Sequence, residues 1–266
     1  MKKIAFAALT ILLAAACGSK DEKTVTKAEG IDFDSVTVDT IVPLVNVEGS
    51  PTAHIHLSLT FGKGDKAEAL NKAIKYGGFF SPDYMGELHE KTTLKEAADS
   101  FVVNYVKDYQ RNYAPLYRGD QQHKSSYDVT YDAHTYVQNH RSGIVCYIAK
   151  SNMYGGGEHS VSSTVAKNID LKTGKAITLN EVFTPGFEQP LAELITNKLC
   201  KEQGVKTLKE LQEKGVFTGI EPYASDNFIL GDGEVTFIYV DSEIAPHEMG
   251  EVRVTLSNDE LENVLK

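Results

Sequence analysis

Hydrophobic and polar side chains alternate through residues 53–61, with Ile55, Leu57, Leu59 and Phe61 on one face and His54, His56, Ser58 and Thr60 on the other. A period of two describes a half-buried strand. The period then lengthens, and residues 65–80 and 93–117 carry helical spacing. The second of these opens on a capping box, Thr93 with Glu96, followed by an apolar stripe through Leu94, Ala97, Ala98, Phe101, Val102, Tyr105 and Val106. Pro115 is expected to end or bend that helix. Tyr105, Tyr109, Tyr113 and Tyr117 recur every four residues along it, which predicts core at its start and an amphipathic edge toward its end. Strand-like runs follow at 126–138, 143–150 and 159–171, and Lys172-Thr-Gly-Lys175 reads as a turn. Residues 190–203 and 207–214 read as helices. Residues 227–230 and 234–240 flank Gly231-Asp-Gly233, a hairpin signal, and 251–256 form a last strand before a short helix capped by Ser257 with Glu260. The pattern predicts an α+β fold, an antiparallel β-sheet with helices packed on one side.

The first residues obey a different rule. Lys2 and Lys3 precede an uncharged, mostly aliphatic run from residue 4 to 16, which ends in three alanines before Cys17. Thirteen residues fall short of the ~20 that a membrane-spanning helix needs, so the run reads as a cleaved export leader. The pattern resembles a bacterial lipoprotein signal, in which the Cys17 thiol receives diacylglycerol. Residues 1–17 are therefore expected to be a signal peptide, and 18–30, a polar stretch, a flexible tether. Lys20-Asp21-Glu22 within it resembles the lysine-plus-acids signal that sends some Bacteroidetes lipoproteins to the cell surface. The expected location is the outer membrane, facing the periplasm or the exterior.

Charge changes the picture of partners. The chain carries net −10, and loss of Lys2 and Lys3 with the leader lowers this to −12. Such a balance argues against nucleic acid and favours basic partners. Trp is absent, which excludes a tryptophan-lined sugar platform. Beyond Cys17 only Cys146 and Cys200 remain. An oxidising envelope permits a disulfide between them, but one lies in a strand-like and the other in a helix-like run, and buried unpaired thiols are the favoured reading.

From Tyr154 onward the chain resembles a known family. Tyr154-Gly-Gly-Gly-Glu-His159 is followed by Asn168-Ile-Asp-Leu-Lys-Thr-Gly-Lys175 and Ile177-Thr-Leu-Asn-Glu-Val-Phe183, then by Phe237-Ile-Tyr-Val-Asp-Ser-Glu-Ile-Ala-Pro246 and Gly250. This order is similar to the extracytoplasmic domain of RsiV-type, lysozyme-sensing anti-sigma factors, a module also found beside PdaC-type peptidoglycan deacetylases. Residues 47–150 resemble the companion N-terminal module of that pair. The resemblance implies two related modules sharing an interface, 31–150 and 151–266, exposed in the envelope and binding a lysozyme-like protein or peptidoglycan. Two positions depart from the family: Glu158 precedes His159, and His247 stands where an aromatic residue is usual.

Candidate chemistry is sparse. Glu158 and His159 after three glycines set a carboxylate beside an imidazole where a backbone can be approached closely; a tight bend between strands is the competing reading. Asp241, Glu243 and Glu248 are candidate partner contacts on a loop leaving a buried strand. His54 and His56 share a polar strand face but lack a third metal ligand, and the P-loop and nucleophile-elbow patterns do not occur. The expectation is a non-enzymatic, lipid-anchored binding protein without cofactor or metal. The alternative is a glycan-processing envelope protein with Glu158 and His159 near a cleft.

Overall fold

A computed structural model describes residues 25–85, 89, 92–157 and 159–266. The expectations for Cys17, for Lys20-Asp21-Glu22 and for Glu158 fall outside the described residues.

Seven strands form the larger sheet: β1 (Lys27–Ala28), β2 (Ile31–Pro43), β3 (Thr52–Lys63), β4 (Val129–Arg141), β5 (Ile144–Tyr154), β6 (Val161–Asp170) and β7 (Lys175–Ala176), in that spatial order. All neighbours are antiparallel except β3 and β4, which are parallel. That pair requires a crossover, and two helices supply it: α1 (Glu68–Tyr76) and α2 (Leu94–Gly119). The α+β expectation holds, with this one parallel pair inside a mostly antiparallel sheet. The sheet also draws in residues assigned to the tether, since Ala28 is buried and the Val25 N–H donates to the Val137 carbonyl at 3.0 Å. The expected module boundary at 150/151 falls within β5.

Both α1 and α2 cover one face of this sheet. Leu70 and Ile74 of α1 and Ala97, Ala98 and Phe101 of α2 pack on Ile55, Leu57 and Leu59, the predicted apolar face of β3. Helix α1 is shorter than its periodicity suggested. It stops at Gly77-Gly78, because a side chain at Gly77 would strike the Phe79 ring at 2.3 Å and Gly78 has φ 61°. Phe79 and Phe80 then enter the core without helix. The capping box of α2 is present, with the Thr93 N–H donating to Glu96 Oε2 at 2.8 Å and the Glu96 N–H to Thr93 Oγ1 at 3.2 Å. Pro115 does not end the helix. Tyr109 and Tyr117 are buried and Tyr105 and Tyr113 half-buried, so the tyrosine stripe packs on the core through to the last turn rather than only at its start.

The second unit follows β7. Helices α3 (Leu179–Val182), α4 (Glu188–Glu202) and α5 (Leu208–Glu213) pack on a three-stranded antiparallel sheet of β8 (Phe228–Leu230), β9 (Glu234–Tyr239) and β10 (Val252–Ser257). The predicted β8–β9 hairpin closes through the Gly231 N–H on the Glu234 carbonyl at 2.9 Å, with Gly233 at φ 77°. The Ser257–Glu260 box also forms, but it opens a run of turns rather than a helix. Cys146 and Cys200 are free and buried in different clusters.

The small sheet lies on the back of the large one, opposite α1 and α2. Ile229 and Ile238 meet Tyr136, Cys146, Ile148 and Ala166 there. Two asparagines stitch the seam reciprocally. Asn168 on β6 donates to the Phe228 carbonyl at 2.8 Å and accepts from the Leu230 N–H at 3.0 Å. Asn227, just before β8, donates to the Thr164 carbonyl at 2.7 Å and accepts from the Ala166 N–H at 2.7 Å. Each amide supplies a donor and an acceptor at strand spacing, so it satisfies backbone groups that the ladder leaves open. The four layers thus run helices, large sheet, small sheet, helices.

Candidate functional site

The glycine run joins β5 to β6, and its geometry explains the glycines. A Cβ on Gly156 (φ 78°) would sit 1.9 Å from the Ser126 carbonyl oxygen, and one on Gly155 would touch the Tyr113 hydroxyl at 3.6 Å. The close approach is therefore to the protein's own backbone at the 124–127 turn, and the tight-bend reading holds for these glycines. His159 follows, exposed, with its ring centroid 5.1 Å from that of His247 at an interplanar angle of 41°.

His247 comes from the loop between β9 and β10. Its Nδ1 lies 2.7 Å from Asp241 Oδ2 and 2.9 Å from Oδ1, and Ser242 Oγ donates to Oδ1 at 2.9 Å. Those bonds, the His247 one foremost, hold the Asp241 carboxyl below the usual carboxylate range against the opposing effect of burial. The Asp241 side chain is 9% exposed and that of His247 44%. Glu243 is committed elsewhere. Its Oε2 accepts from the Val240 N–H at 2.7 Å and its Oε1 from the Tyr223 hydroxyl at 2.5 Å. Burial first, and Glu243 second, push the Tyr223 hydroxyl upward. Glu248 sits exposed on the 247–249 turn. The structure thus joins His159 to Asp241 through His247, puts Glu243 into a tyrosine network, and leaves Glu248 on the surface.

An aspartate orienting an imidazole is the base-and-orienter half of an acid–base site. Here it stands on exposed loops. Two grooves among the described residues flank α1 and are lined by other residues. One, about 580 Å³, includes Lys63, Lys72, Lys75 and Lys95; the other, about 490 Å³, includes Lys72, Tyr76, Phe79 and Lys167. Whole-chain charge conceals the lysines of the first groove, which they share with Asp65 and Glu68; the clustering of Lys63, Lys72 and Lys75 along the sequence is the signal for them. Among the described residues no group of three or more His, Cys, Asp or Glu side chains is arranged to hold a metal ion. Nor is any helix there long and apolar enough to cross a membrane.

The back face of the large sheet, beyond the part covered by the small sheet, stays open and polar. Pairing aligns Asp39, His56, Asp132, Asn152 and Ser162 across five strands, β2 to β6. The next row toward the seam holds Thr37, Ser58, His134, Lys150 and Thr164. His54 and His56 approach Asp39 at 2.9 and 3.6 Å, and Asn152 Nδ2 donates to Ser162 Oγ at 2.8 Å. The 241–250 loop reaches the β5–β6 connection where His247 meets His159, at the β6 side of this face.

Comparison with known proteins reaches both units. None of the curated proteins compared with the chain matches it. A DUF3298-family protein from Bacteroides fragilis has a similar structure, at TM-score 0.78 and 24% identity over 89% of this chain and 94% of its own. A DUF3298-family protein from Pseudomonas aeruginosa is similar at TM-score 0.61 and 14% identity, again over 89% of this chain and 94% of its own. At these identities the likeness establishes a common fold. Residues 180–259, from α3 through β10, match the model of the family described as protein of unknown function DUF3298.

Proposed function

We infer that this chain is a non-enzymatic, lipid-anchored binding protein of the cell envelope, held in the outer membrane through Cys17. The observation that carries the reading is the placement of the His159–His247–Asp241 cluster. Both imidazoles stand on exposed loops, and the Asp241 carboxylate is spent on holding its own loop, whereas catalysis requires a site that encloses its substrate and excludes water. That arrangement suits contact with a macromolecule better than turnover of a small one, and it disfavours the glycan-processing alternative.

A basic, lysozyme-like protein is the partner suggested by the RsiV-type resemblance and by the acidic balance of the chain. Attraction of that kind falls with salt, because the Debye length shrinks from ~10 Å at 0.1 M to ~3 Å at 1 M. Titration of the protein against lysozyme and against cytochrome c, at low and physiological salt, tests it. Lysozyme should bind more tightly than cytochrome c and lose only part of its affinity at physiological salt, and Glu248→Gln should weaken that affinity. Equal and wholly salt-sensitive binding to both proteins would remove the specific partner. Peptidoglycan is the second reading, favoured by the open polar face of the sheet. The anchor is tested separately: Cys17→Ala should abolish palmitate labelling and release the protein from the membrane fraction, and unchanged labelling would refute it.

A further inference from the structure

We propose that the open half of the back face, the rows crossing β2 to β6, is a platform for a neutral, hydroxyl-rich glycan. The inference rests on the envelope-binding reading and names a ligand class and a surface for it. Five strands at ~4.8 Å spacing give a row about 19 Å across, wide enough for several sugar rings laid over the strands.

Its chemistry is what selects the ligand. Asp132 offers a carboxylate acceptor, Asn152 its Oδ1 acceptor while its N–H groups hold Ser160 and Ser162, Ser162 a hydroxyl, His56 and His134 imidazoles and Lys150 an ammonium, all on one face. Sugar hydroxyls donate and accept at once, and such a mixture matches them group for group. These rows carry two carboxylates, Asp39 and Asp132, and one ammonium, Lys150, and Asp39 is engaged by His54 and His56, so no field of one sign favours a polyelectrolyte. One row further from the seam, Ile41 is 64% exposed and Tyr154 half-buried, which supplies apolar surface for the C–H faces of sugar rings at the rim. The small sheet limits the platform at one end and the His247 loop at the β6 side. An apolar or strongly basic partner would find few complementary groups in these rows.

The test is calorimetric titration of the detergent-solubilised full chain with the N-acetylglucosamine tetrasaccharide. Binding in the micromolar to millimolar range is expected. Asn152→Ala should weaken it about threefold to tenfold, the worth of one hydrogen bond to a neutral group, Asp132→Ala about tenfold or more because its carboxylate is charged, and the two with His56→Ala should abolish it. Lys95→Ala, beside α1 on the other face, should leave it unchanged. Thermal unfolding of the triple variant near the wild-type temperature separates lost contact from lost fold, since these side chains are solvent-facing. No binding of the tetrasaccharide by the wild type overturns the platform, and so does binding that the triple variant retains. If the wild type then still binds lysozyme, the envelope-binding reading stands without the glycan; if it binds neither, both fall.

Discussion

Replacing Asn168 by alanine should separate the two sheets energetically. The side chain is 1% exposed and bridges the Phe228 carbonyl and the Leu230 N–H, both on buried residues. Alanine removes both partners and leaves both backbone groups without water. Each orphaned group costs ~1–3 kcal/mol, so the loss should be ~2–6 kcal/mol. For a chain of this size that corresponds to a fall of ~4–24 °C in Tm. Urea unfolding followed by circular dichroism measures it, with an unchanged m-value showing that the denatured state is unaltered. Asn168→Asp adds a sign. It keeps the acceptor for Leu230 but sets a buried carboxylate against the Phe228 carbonyl, which raises its folded-state pKa above the unfolded ~3.9. Stability of that variant should therefore be greatest below the unfolded value and fall as pH rises through the folded one. Asn227→Ala, on the reciprocal amide, should couple to Asn168→Ala by more than ~0.5 kcal/mol, because both serve one seam. A loss from Asn168→Ala below ~0.5 kcal/mol, the level of a surface substitution, would refute the stitching argument.

Three further outcomes follow from the same geometry. Tyr131→Phe should leave stability unchanged or raise it by ~1 kcal/mol in thermal unfolding, since the Tyr131 hydroxyl is buried without a hydrogen-bond partner among the described residues. Gly156→Ala should cost ~2–4 kcal/mol, from a Cβ 1.9 Å from the Ser126 oxygen at φ 78°, whereas Gly157→Ala, with open space at that Cβ, should cost far less. Asp241→Asn should remove part of the acid sensitivity: the folded Asp241 carboxyl titrates below its unfolded value, so its contribution is present above the unfolded value and lost as pH falls through the folded one, and stability curves at acid pH should converge between variant and wild type.

The candidate site was legible only in fragments. Glu243 stood out as an exposed-loop acid, yet folding assigns it to the Val240 N–H and the Tyr223 hydroxyl, a use that depends on Tyr223 lying twenty positions away. His247 appeared only as a departure from a pattern, although it is the residue that links His159 to Asp241. The glycines before His159 signalled a close approach correctly, but not that the approaching partner is the chain's own Ser126. Strand β2 went unread despite its length, because its apolar positions shift phase between Phe33 and Val36 and blur the alternation.

By itself the sequence determined the features that adjacent residues fix. The alternation of β3, the capping boxes at Thr93 and Ser257, the Gly231-Asp-Gly233 hairpin and the α+β class follow from backbone geometry and side-chain periodicity over a few residues. Tertiary structure alone decided the parallel β3–β4 pairing, the seam held by Asn168 and Asn227, the meeting of His159 with His247, and the five-strand polar row through His56, Asp132 and Asn152. Each of these joins residues distant in the chain. Periodicity says which face of a strand is wet, but only strand order and register say which wet side chains become neighbours, because a shift of one residue would turn every one of them to the opposite face.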